Sequence, residues 1–290
     1  MPRGTHPNSL KNLQPRKYRA VSSFFGTRGF DQGYFAGFLA ADGNIAQNGR
    51  MLSVSVQRRD RSILEEMQTC FGGSYPIRDV MSQGYPQSVI TIVDEELCRD
   101  LREGFNITPR KSLTLSPPVG LAGSCLDGFV KGFVDGDGYI GVYQGNELSI
   151  GVVGTEQMIQ FVSDEWARVT GVPMPQPYSC KDRRLWSVKI ANRKAREVFE
   201  YYYSFPRGLP RKWSPDKYDL CKNWTWRSKK HTKNFELYQF VMEREDLMSQ
   251  SEIAQQRGCT AANINAVVHS KNYQKFKESK VLDTAEEVLS

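Results

Sequence analysis

The sequence of 290 residues is poor in the side chains from which many metal and nucleophile centres are built. It has three histidines, His6, His231 and His269, all in or near the terminal regions, which argues against a histidine-rich catalytic centre. Of its six cysteines, the closest two in sequence, Cys98 and Cys125, are separated by 27 positions. The spacing therefore predicts neither a C-x-x-C metal or redox pair nor a dense disulfide framework. We expect six inert thiols in a reducing compartment, and any catalysis to use carboxylates and lysines.

Long apolar runs are also missing. No stretch of about 18 apolar residues occurs, and the first residues of the chain lack the apolar segment that a secretory signal needs. Hydrophobic residues nonetheless make up 39% of the chain and charged residues 24%, a composition typical of a globular protein. At roughly 100–200 residues for each domain, the length predicts about two units. We expect a location inside a cell, in the cytoplasm of a bacterium or of a phage-infected cell, or in an organelle.

The formal charge of +7 is concentrated in two segments. Residues 1–28 contain six basic residues and no acid, and residues 207–233 contain nine basic residues and two acids, which leaves a net charge of −6 on the rest. This pattern is typical of basic segments that bind a polyanion beside folded units, and a solvated tail and linker are the alternative. Aromatic and basic residues of the second segment favour nucleic acid as the partner: Trp224, Trp226, Arg227, Lys229 and Lys230.

An internal repeat is the strongest feature of the chain. Residues 34–45 read YFAGFLAADGNI and residues 129–140 read FVKGFVDGDGYI, at an offset of 95 residues. Three further pairs of segments follow in the same order at offsets up to 101: LSVSV with LSIGV, SVITI with WSVKI, and Pro109-Arg110-Lys111 with Pro210-Arg211-Lys212. We infer a duplicated unit in which each copy runs helix, hairpin, helix, hairpin, helix.

Periodicity within the repeat predicts which residues form the core. Helical spacing in the first motif and alternation in the strand that follows predict these buried positions: Phe35, Phe38, Leu39, Leu52, Val54 and Val56. Between the copies, residues 116–125 predict a linker, and Ser124 with Asp127 predicts a capping box for the second motif helix.

Small residues four positions apart recur in both motifs, and they predict a helix interface. Gly37 with Ala41, and Gly132 with Gly136, leave shallow grooves on the two motif helices. If the copies pack about a pseudo-twofold axis, these grooves meet and the two helix backbones approach closely.

The same packing would bring two acids together. Asp42 and Asp137 would lie side by side at the C-terminal ends of two helix dipoles, where two carboxylates are unfavourable unless a cation lies between them. Hard oxygen ligands suit Mg²⁺, which keeps waters and binds phosphate, so that water can hydrolyse a phosphodiester. One Asp-Gly turn alone is more often a helix end with an exposed acid, and the duplication is what favours a divalent metal site.

The two motif copies, FAGFLAADG at 35–43 and VKGFVDGDG at 130–138, resemble those of single-chain LAGLIDADG homing endonucleases over about residues 29–220. The resemblance implies an α+β fold in which two tandem αββαββα half-domains form a pseudo-twofold saddle over a DNA major groove. It implies that Asp42 and Asp137 bind the catalytic metal, and we include Ala41 and Gly136 in the predicted metal site. The implied cofactor is Mg²⁺, with Ca²⁺ as a substitute that does not support cleavage and Mn²⁺ as a further candidate.

Other residues of the motifs follow or depart from the family pattern. The acidic position two residues before the metal ligand is Ala40 in the first copy and Asp135 in the second, and Lys131 replaces the usual small residue. The duplicated Pro-Arg-Lys places Lys111 and Lys212 where family lysines approach the scissile region. Their predicted role is to polarise solvent or to stabilise developing charge, and simple phosphate contact or turn capping is the alternative.

If the sheets form the saddle, polar residues on the DNA-facing strands would contact base edges. The candidates are Asn44, Gln47, Arg50, Ser53, Ser55, Gln57 and Arg58 in the first half and Tyr143, Gln144, Lys181, Arg183, Arg184 and Lys189 in the second. Because the halves differ at most of these positions, the predicted partner is a long non-palindromic DNA duplex bound by a monomer.

The C-terminal residues change character. Ala254, Gly258 and Ile264 have a spacing similar to that of helix-turn-helix modules, and Asn263 and Asn265 would lie at the start of the recognition helix. The predicted core is Ile253, Ala254, Ile264, Val267 and Val268. A net charge of −3 over residues 234–290 opposes strong DNA contact, and a three-helix bundle that binds another protein is the alternative.

The predicted organisation is a basic arm (1–28), a first repeat (29–116), a linker (117–125), a second repeat (126–220), a basic and aromatic linker (221–235) and a small all-α helix-turn-helix-like module (236–290). The predicted function is that of a homing endonuclease, which cuts both DNA strands at a specific site and leaves staggered 3′ overhangs. The alternative is a non-catalytic nucleic-acid-binding protein, either an intron RNA maturase, with cognate intron RNA as its partner, or a transcription regulator that joins a LAGLIDADG fold to a helix-turn-helix.

Overall fold

The computed structural model describes residues 18, 20–21, 23–143, 147–180, 185–203, 215–225, 237–270, 273–274 and 277. The chain divides into two compact units, Met1–Trp224 and Thr225–Ser290.

Two copies of one arrangement of helices and strands make up the larger unit. The first copy consists of α1 (Phe30–Asp42), β1 (Gly43–Ile45), β2 (Met51–Gln57), α2 (Arg61–Cys70), β3 (Ile77–Ser82), β4 (Tyr85–Val93) and α3 (Glu95–Phe105). The second copy consists of α4 (Gly123–Asp137), β5 (Gly138–Tyr143), β6 (Glu147–Gly154), α5 (Glu156–Thr170), β7 (Tyr178–Cys180), β8 (Leu185–Ala191) and α6 (Asn192–Tyr203). A further helix, α7 (Pro215–Lys222), follows. The α+β architecture of two αββαββα halves is therefore confirmed.

Each half has one four-stranded antiparallel sheet, and the two sheets have the same strand order, β1-β2-β4-β3 and β5-β6-β8-β7. In the first sheet Val54 pairs with Ile90, and in the second Val152 pairs with Val188. These four side chains are buried, because alternate residues of a strand face the same side and here face the helices. The opposite face is exposed at Ser55, Gln57 and Thr91 in the first sheet and at Tyr143 and Lys189 in the second, and we call these the uncovered faces.

The predicted core positions of the first half are buried. The side chains of Phe35, Phe38, Leu39 and Leu52 have no exposed surface, and those of Val54 and Val56 are nearly covered. At roughly 25 cal/mol for each Å² of apolar surface removed from water, this core is the main stabilising contribution to the unit.

The start of α4 differs from the prediction. The helix begins at Gly123, inside the predicted linker, with Ala122 as its N-cap and no side-chain cap. The predicted capping box of Ser124 and Asp127 is therefore wrong. Asp127 instead accepts hydrogen bonds from Arg168 and from Tyr201, at 3.3 and 3.1 Å, because a guanidinium group and a phenol are available from α5 and α6.

The predicted basic and aromatic linker begins inside the larger unit. Cys221 and Trp224 are buried, and the Arg196 guanidinium donates hydrogen bonds to the carbonyl groups of Cys221, Lys222 and Trp224. Trp224 is therefore a core residue of the larger unit and contributes little exposed aromatic surface for nucleic acid. The other residues named with it, Trp226, Arg227, Lys229 and Lys230, lie outside the described residues.

All six cysteines are free thiols. Burial raises the pKa of the Cys98 thiol to about 11, which fits the expectation of inert thiols. Within the part of the chain that the structure describes, no helix is both long and apolar enough to cross a membrane.

The smaller unit contains α8 (described over 237–242), α9 (Gln250–Arg257) and α10 (Ala261–Val268). Ser249 and Glu252 form a capping box at the start of α9, and Thr260 caps α10. Gly258 ends α9 with φ +69°, a conformation that favours glycine. Of the predicted core, Ile253, Ala254 and Ile264 are buried and Val267 and Val268 are partly buried, and Val241 and Tyr273 complete it.

Candidate metal centre and nucleic-acid interface

The motif helices α1 and α4 cross at close range, and glycines make the crossing possible. A Cβ atom on Gly37 would collide with the carbonyl oxygen of Phe129, and one on Gly132 would collide with that of Tyr34. Gly37 and Gly132 are equivalent at the offset of 95 residues, and so are Tyr34 and Phe129. The contacts are therefore reciprocal, which defines a pseudo-twofold axis between the two halves.

The next pair along the crossing lies at that axis. A Cβ atom on Gly136 would collide with the Cβ atom of Ala41, and these two residues are also equivalent at the offset of 95. Asp42 follows Ala41 as the last residue of α1, and Asp137 follows Gly136 as the last residue of α4. The helix interface thus brings the ends that carry both aspartates to the same place, and both side chains are partly exposed there.

Lys111 lies beside both aspartates. Its side chain is 7% exposed, and its Nζ donates a 2.8 Å hydrogen bond to the carbonyl oxygen of Ala41. Burial lowers the pKa of Lys111, and the negative charges of Asp137 and Asp42 oppose that change. One of the two predicted lysines is thus within electrostatic reach of both acids, while Lys212 lies outside the described residues.

The chemistry of this site suits a divalent cation. The C-terminal ends of α1 and α4, which carry Asp42 and Asp137, lie together at the crossing, and the partial negative charge of a helix C-terminus favours cations. Among the described residues no group of three or more histidines, cysteines, aspartates or glutamates forms a complete ligand cage. Oxygen donors in small number, completed by water and phosphate, are the set that Mg²⁺ prefers.

A cavity of about 270 Å³ opens beside the site, and Lys111 and Asp137 form part of its wall. Thr155, Leu113 and Phe133 line the rest together with neighbouring residues. This space gives solvent and small groups access to the ammonium group and to one carboxylate.

Asp135, two residues before Asp137, has a different role from its neighbour. Its side chain is fully buried and pairs with Lys131 Nζ at 2.9 Å. It also accepts hydrogen bonds from the hydroxyl groups of Tyr34 and Tyr203, at 2.9 and 2.7 Å. The unusual Lys131 of the second motif therefore packs inside the larger unit as half of a buried ion pair.

The uncovered face of the first sheet is polar. Ser53, Ser55 and Gln57 of β2 lie on it, as does Asn44 of β1, because they alternate with buried residues. The register adds residues that the sequence alone did not suggest: Arg78 of β3 and Gln87 and Thr91 of β4. Ser55 and Gln87 share a 2.6 Å hydrogen bond across the strands.

The uncovered face of the second sheet is aromatic instead. Tyr139 and Tyr143 of β5 lie on it with their rings 6.3 Å apart, and the Tyr139 ring crosses above Gly151 of β6. Burial raises the pKa of Tyr139. Lys189 forms a 3.0 Å ion pair with Glu147 on the same face, so the charge of that predicted contact residue is already partly compensated.

Three further predicted contact residues of the first half have partners within the protein. Arg58 pairs with Asp79 at 3.2 Å, and Asp79 is opposite the buried Ser88, which places Arg58 toward the other side of the sheet. Arg50 pairs with Glu95 at 3.2 Å. Gln47 lies against Arg110 of the duplicated Pro-Arg-Lys.

The remaining candidates divide into two groups. Gln144, Lys181, Arg183 and Arg184 lie outside the described residues. Asn263 and Asn265 are exposed on α10 of the smaller unit, and the backbone N–H of Asn263 donates to the Thr260 hydroxyl group at the helix start.

No family model and no curated protein matches the sequence. Among solved structures, full-length DUF199/WhiA from Thermatoga maritima is similar over 89% of this chain and 96% of its own, at 13% identity and a TM-score of 0.46.

Two homing endonucleases are also similar in structure. I-SmaMI, bound to an uncleaved DNA target with calcium, matches over 83% of this chain and 98% of its own, at 12% identity and a TM-score of 0.40. I-DmoI, in complex with DNA and calcium, matches over 70% of this chain and 98% of its own, at 12% identity and a TM-score of 0.44. These likenesses concern the fold, and the proposed function rests on the side chains of this chain.

Proposed function

We propose that this protein is a Mg²⁺-dependent endonuclease that recognises a long non-palindromic site as a monomer and cuts both DNA strands, leaving 3′ overhangs. The observation that carries the proposal is the reciprocal crossing of α1 and α4, which places Asp42 and Asp137 beside one pseudo-twofold axis. Duplex DNA has a local twofold relation between its strands, so a centre on such an axis can serve one phosphodiester of each strand.

Asp42 and Asp137 are the residues that would hold Mg²⁺, with the main chain at Ala41 and Gly136 beside them. When bound, the ion would supply Lewis-acid polarisation of a phosphodiester. Lys111 contributes a fixed positive charge beside both carboxylates, where it would stabilise the charge that develops on the phosphoryl oxygens. We assign the equivalent role in the second half to Lys212.

The open sheet faces would bind the duplex. Polar residues of the first sheet offer hydrogen-bond donors and acceptors to base edges, and Arg78 adds charge for phosphate. The second face offers Tyr139 and Tyr143, whose rings suit apolar contact with thymine methyl groups. Because the two faces differ in chemistry, the two halves of the target would differ in sequence.

The test is cleavage of a supercoiled plasmid that carries the rejoined genomic sequences flanking the coding region. With Mg²⁺ the chain should convert the plasmid to the linear form, and chelation of the metal should prevent it. A plasmid that stays supercoiled at every protein concentration would refute the nuclease.

The non-catalytic alternative makes a different prediction for the same plasmid. A maturase or a transcription regulator would bind nucleic acid and leave the DNA intact. Retarded mobility of the flanking duplex without any cleavage would therefore favour that alternative. Stimulated splicing of an intron transcript would then identify a maturase.

A further inference from the structure

The buried carboxylate of Asp135 joins three helices. Lys131 and Asp135 belong to α4, Tyr34 belongs to α1 and Tyr203 belongs to α6. The Lys131 ammonium group also lies 4.8 Å from the centre of the Tyr34 ring and 4.6 Å from that of Tyr203. Both charges are thus fully buried and surrounded by the two phenols, which compensates for their removal from water.

This arrangement occurs in the second motif only. The positions that correspond to Lys131 and Asp135 in α1, at the offset of 95 residues, are Ala36 and Ala40. The first motif helix therefore has no equivalent ion pair, and the two halves of the proposed metal centre are supported differently.

The location of Asp135 connects it to the proposed metal centre. It lies in the last turn of α4, where the helix dipole disfavours a carboxylate and where the final carbonyl groups lack helical partners. The turn ends at Asp137 and is closed by the Gly138 amide nitrogen, which bonds to the Val134 carbonyl. The phenol hydroxyl groups that bind Asp135 therefore tie this turn to α1 and to α6.

We infer that Tyr34 and Tyr203 are positioning residues, which act through Asp135 to fix the last turn of α4 and hence the Asp137 carboxylate. The inference rests on the proposed function for its catalytic consequence. Its structural part, the fixing of the last turn, can be measured without DNA.

The test variant is Tyr34→Phe/Tyr203→Phe, which removes two hydroxyl groups and keeps both rings against Lys131. Loss of two hydrogen bonds to a buried charged group should raise hydrogen exchange of the Asp137 and Gly138 amides about tenfold or more. Exchange at Asp42 and Gly43, the equivalent end of α1, should stay unchanged and provides an internal control.

The matched control is Tyr202→Phe. Tyr202 precedes Tyr203 on α6 and is equally buried, and its hydroxyl group has no hydrogen-bond partner among the described residues. Its removal should leave the exchange at Asp137 unchanged. If the double variant does not fold, as judged by its thermal transition, Tyr203→Phe alone is used.

Cleavage provides the second readout. We assign each aspartate to the cutting of one strand. On the plasmid with the rejoined flanking sequences, the double variant should therefore accumulate the nicked circle, because the strand assigned to Asp137 is cut about tenfold more slowly while the other is cut at the normal rate. The wild-type chain and Tyr202→Phe should pass to the linear form without that accumulation.

Unchanged exchange at Asp137 in the double variant overturns the inference, as does an equal increase in Tyr202→Phe. Equal slowing of both strands also overturns it, because that result indicates a general loss of structure. A wild-type chain that leaves the plasmid supercoiled refutes the proposed function, and the exchange result alone then supports or overturns the fixing of the last turn of α4.

Discussion

Lys111 and Ala41 are joined by a 2.8 Å hydrogen bond from the ammonium group of one to the carbonyl oxygen of the other. The bond links the short 3₁₀ helix after α3 to the last turn of α1. It places a positive charge beside the carboxylates of Asp42 and Asp137, whose charges partly offset the effect of burial on the pKa of Lys111. The two carboxylates thus partly offset the cost of burying the charge of Lys111.

Lys111→Met should remove a pH-dependent contribution to stability. Burial lowers the pKa of Lys111 in the folded chain below 10.5, the ordinary value that we take for the unfolded chain. At a pH between the folded and the unfolded pKa, the Lys111 side chain therefore binds fewer protons in the folded chain than in the unfolded chain. Wild-type stability should therefore rise with pH, relative to the variant, as the pH increases through the lowered pKa toward 10.5. Urea unfolding of both proteins in metal-free buffer, from neutral pH to about pH 10, measures the difference. A difference that is constant or falls with pH would contradict it.

Asp42→Asn and Asp137→Asn should separate binding from cutting. Each keeps the shape of the side chain and removes one negative charge from the proposed metal ligands, so duplex affinity should stay within a few-fold while cutting of both strands to give the linear plasmid falls by about a hundredfold or more. Gel mobility shift and plasmid cleavage measure the two properties. Asp164→Asn, on the exposed side of α5, is the control and should cut normally. Loss of affinity in either test variant would assign these aspartates a structural role instead.

Gly37→Ala and Gly132→Ala should destabilise the larger unit by similar amounts. In each case the added methyl group meets a backbone carbonyl on the facing helix, and helix backbones cannot move apart without opening the core, so we expect a loss of about 1–3 kcal/mol or more. Denaturant unfolding measures it. Gly26→Ala is the control, because no heavy atom lies within 4 Å of the added carbon. A much larger effect of one interface glycine would contradict the pseudo-twofold contact.

These interface glycines also explain why part of the site could be predicted from sequence. Where two helix backbones pack closely, only small residues fit between them, and in this sequence such residues recur at helical spacing in both copies. That spacing predicted the contact between the motif helices and therefore the position of Asp42 and Asp137 at their ends. Alternation of apolar residues likewise predicted which face of β2 is buried, because successive side chains of a strand point to opposite faces of the sheet.

Other features depend on partners that are distant in sequence. Tyr203 binds Asp135 across 68 positions, and no local spacing indicates that a lysine and an aspartate in a motif helix will be buried by two phenols. Arg58 likewise forms an ion pair with Asp79, which lies on another strand. Trp224 lies in a basic segment that resembles a nucleic-acid contact, and its burial reflects packing against the larger unit rather than its neighbours in sequence.

Arg78→Ala should weaken duplex binding in a salt-dependent way. Arg78 is exposed on the polar face of the first sheet, and the ion pairs identified among the described residues do not include it, so its charge is available to a phosphate. Losing one phosphate contact should reduce the magnitude of the slope of log affinity against log salt by about 1. Fluorescence anisotropy with a labelled mixed-sequence duplex over a range of salt concentrations gives the slope.

Arg193→Ala is the control. Arg193 lies on α6 and pairs with Glu197 at 2.8 Å, so this variant should leave the slope unchanged. Equal slopes for wild type and Arg78→Ala would show that the polar face of the first sheet does not bind phosphate through this residue.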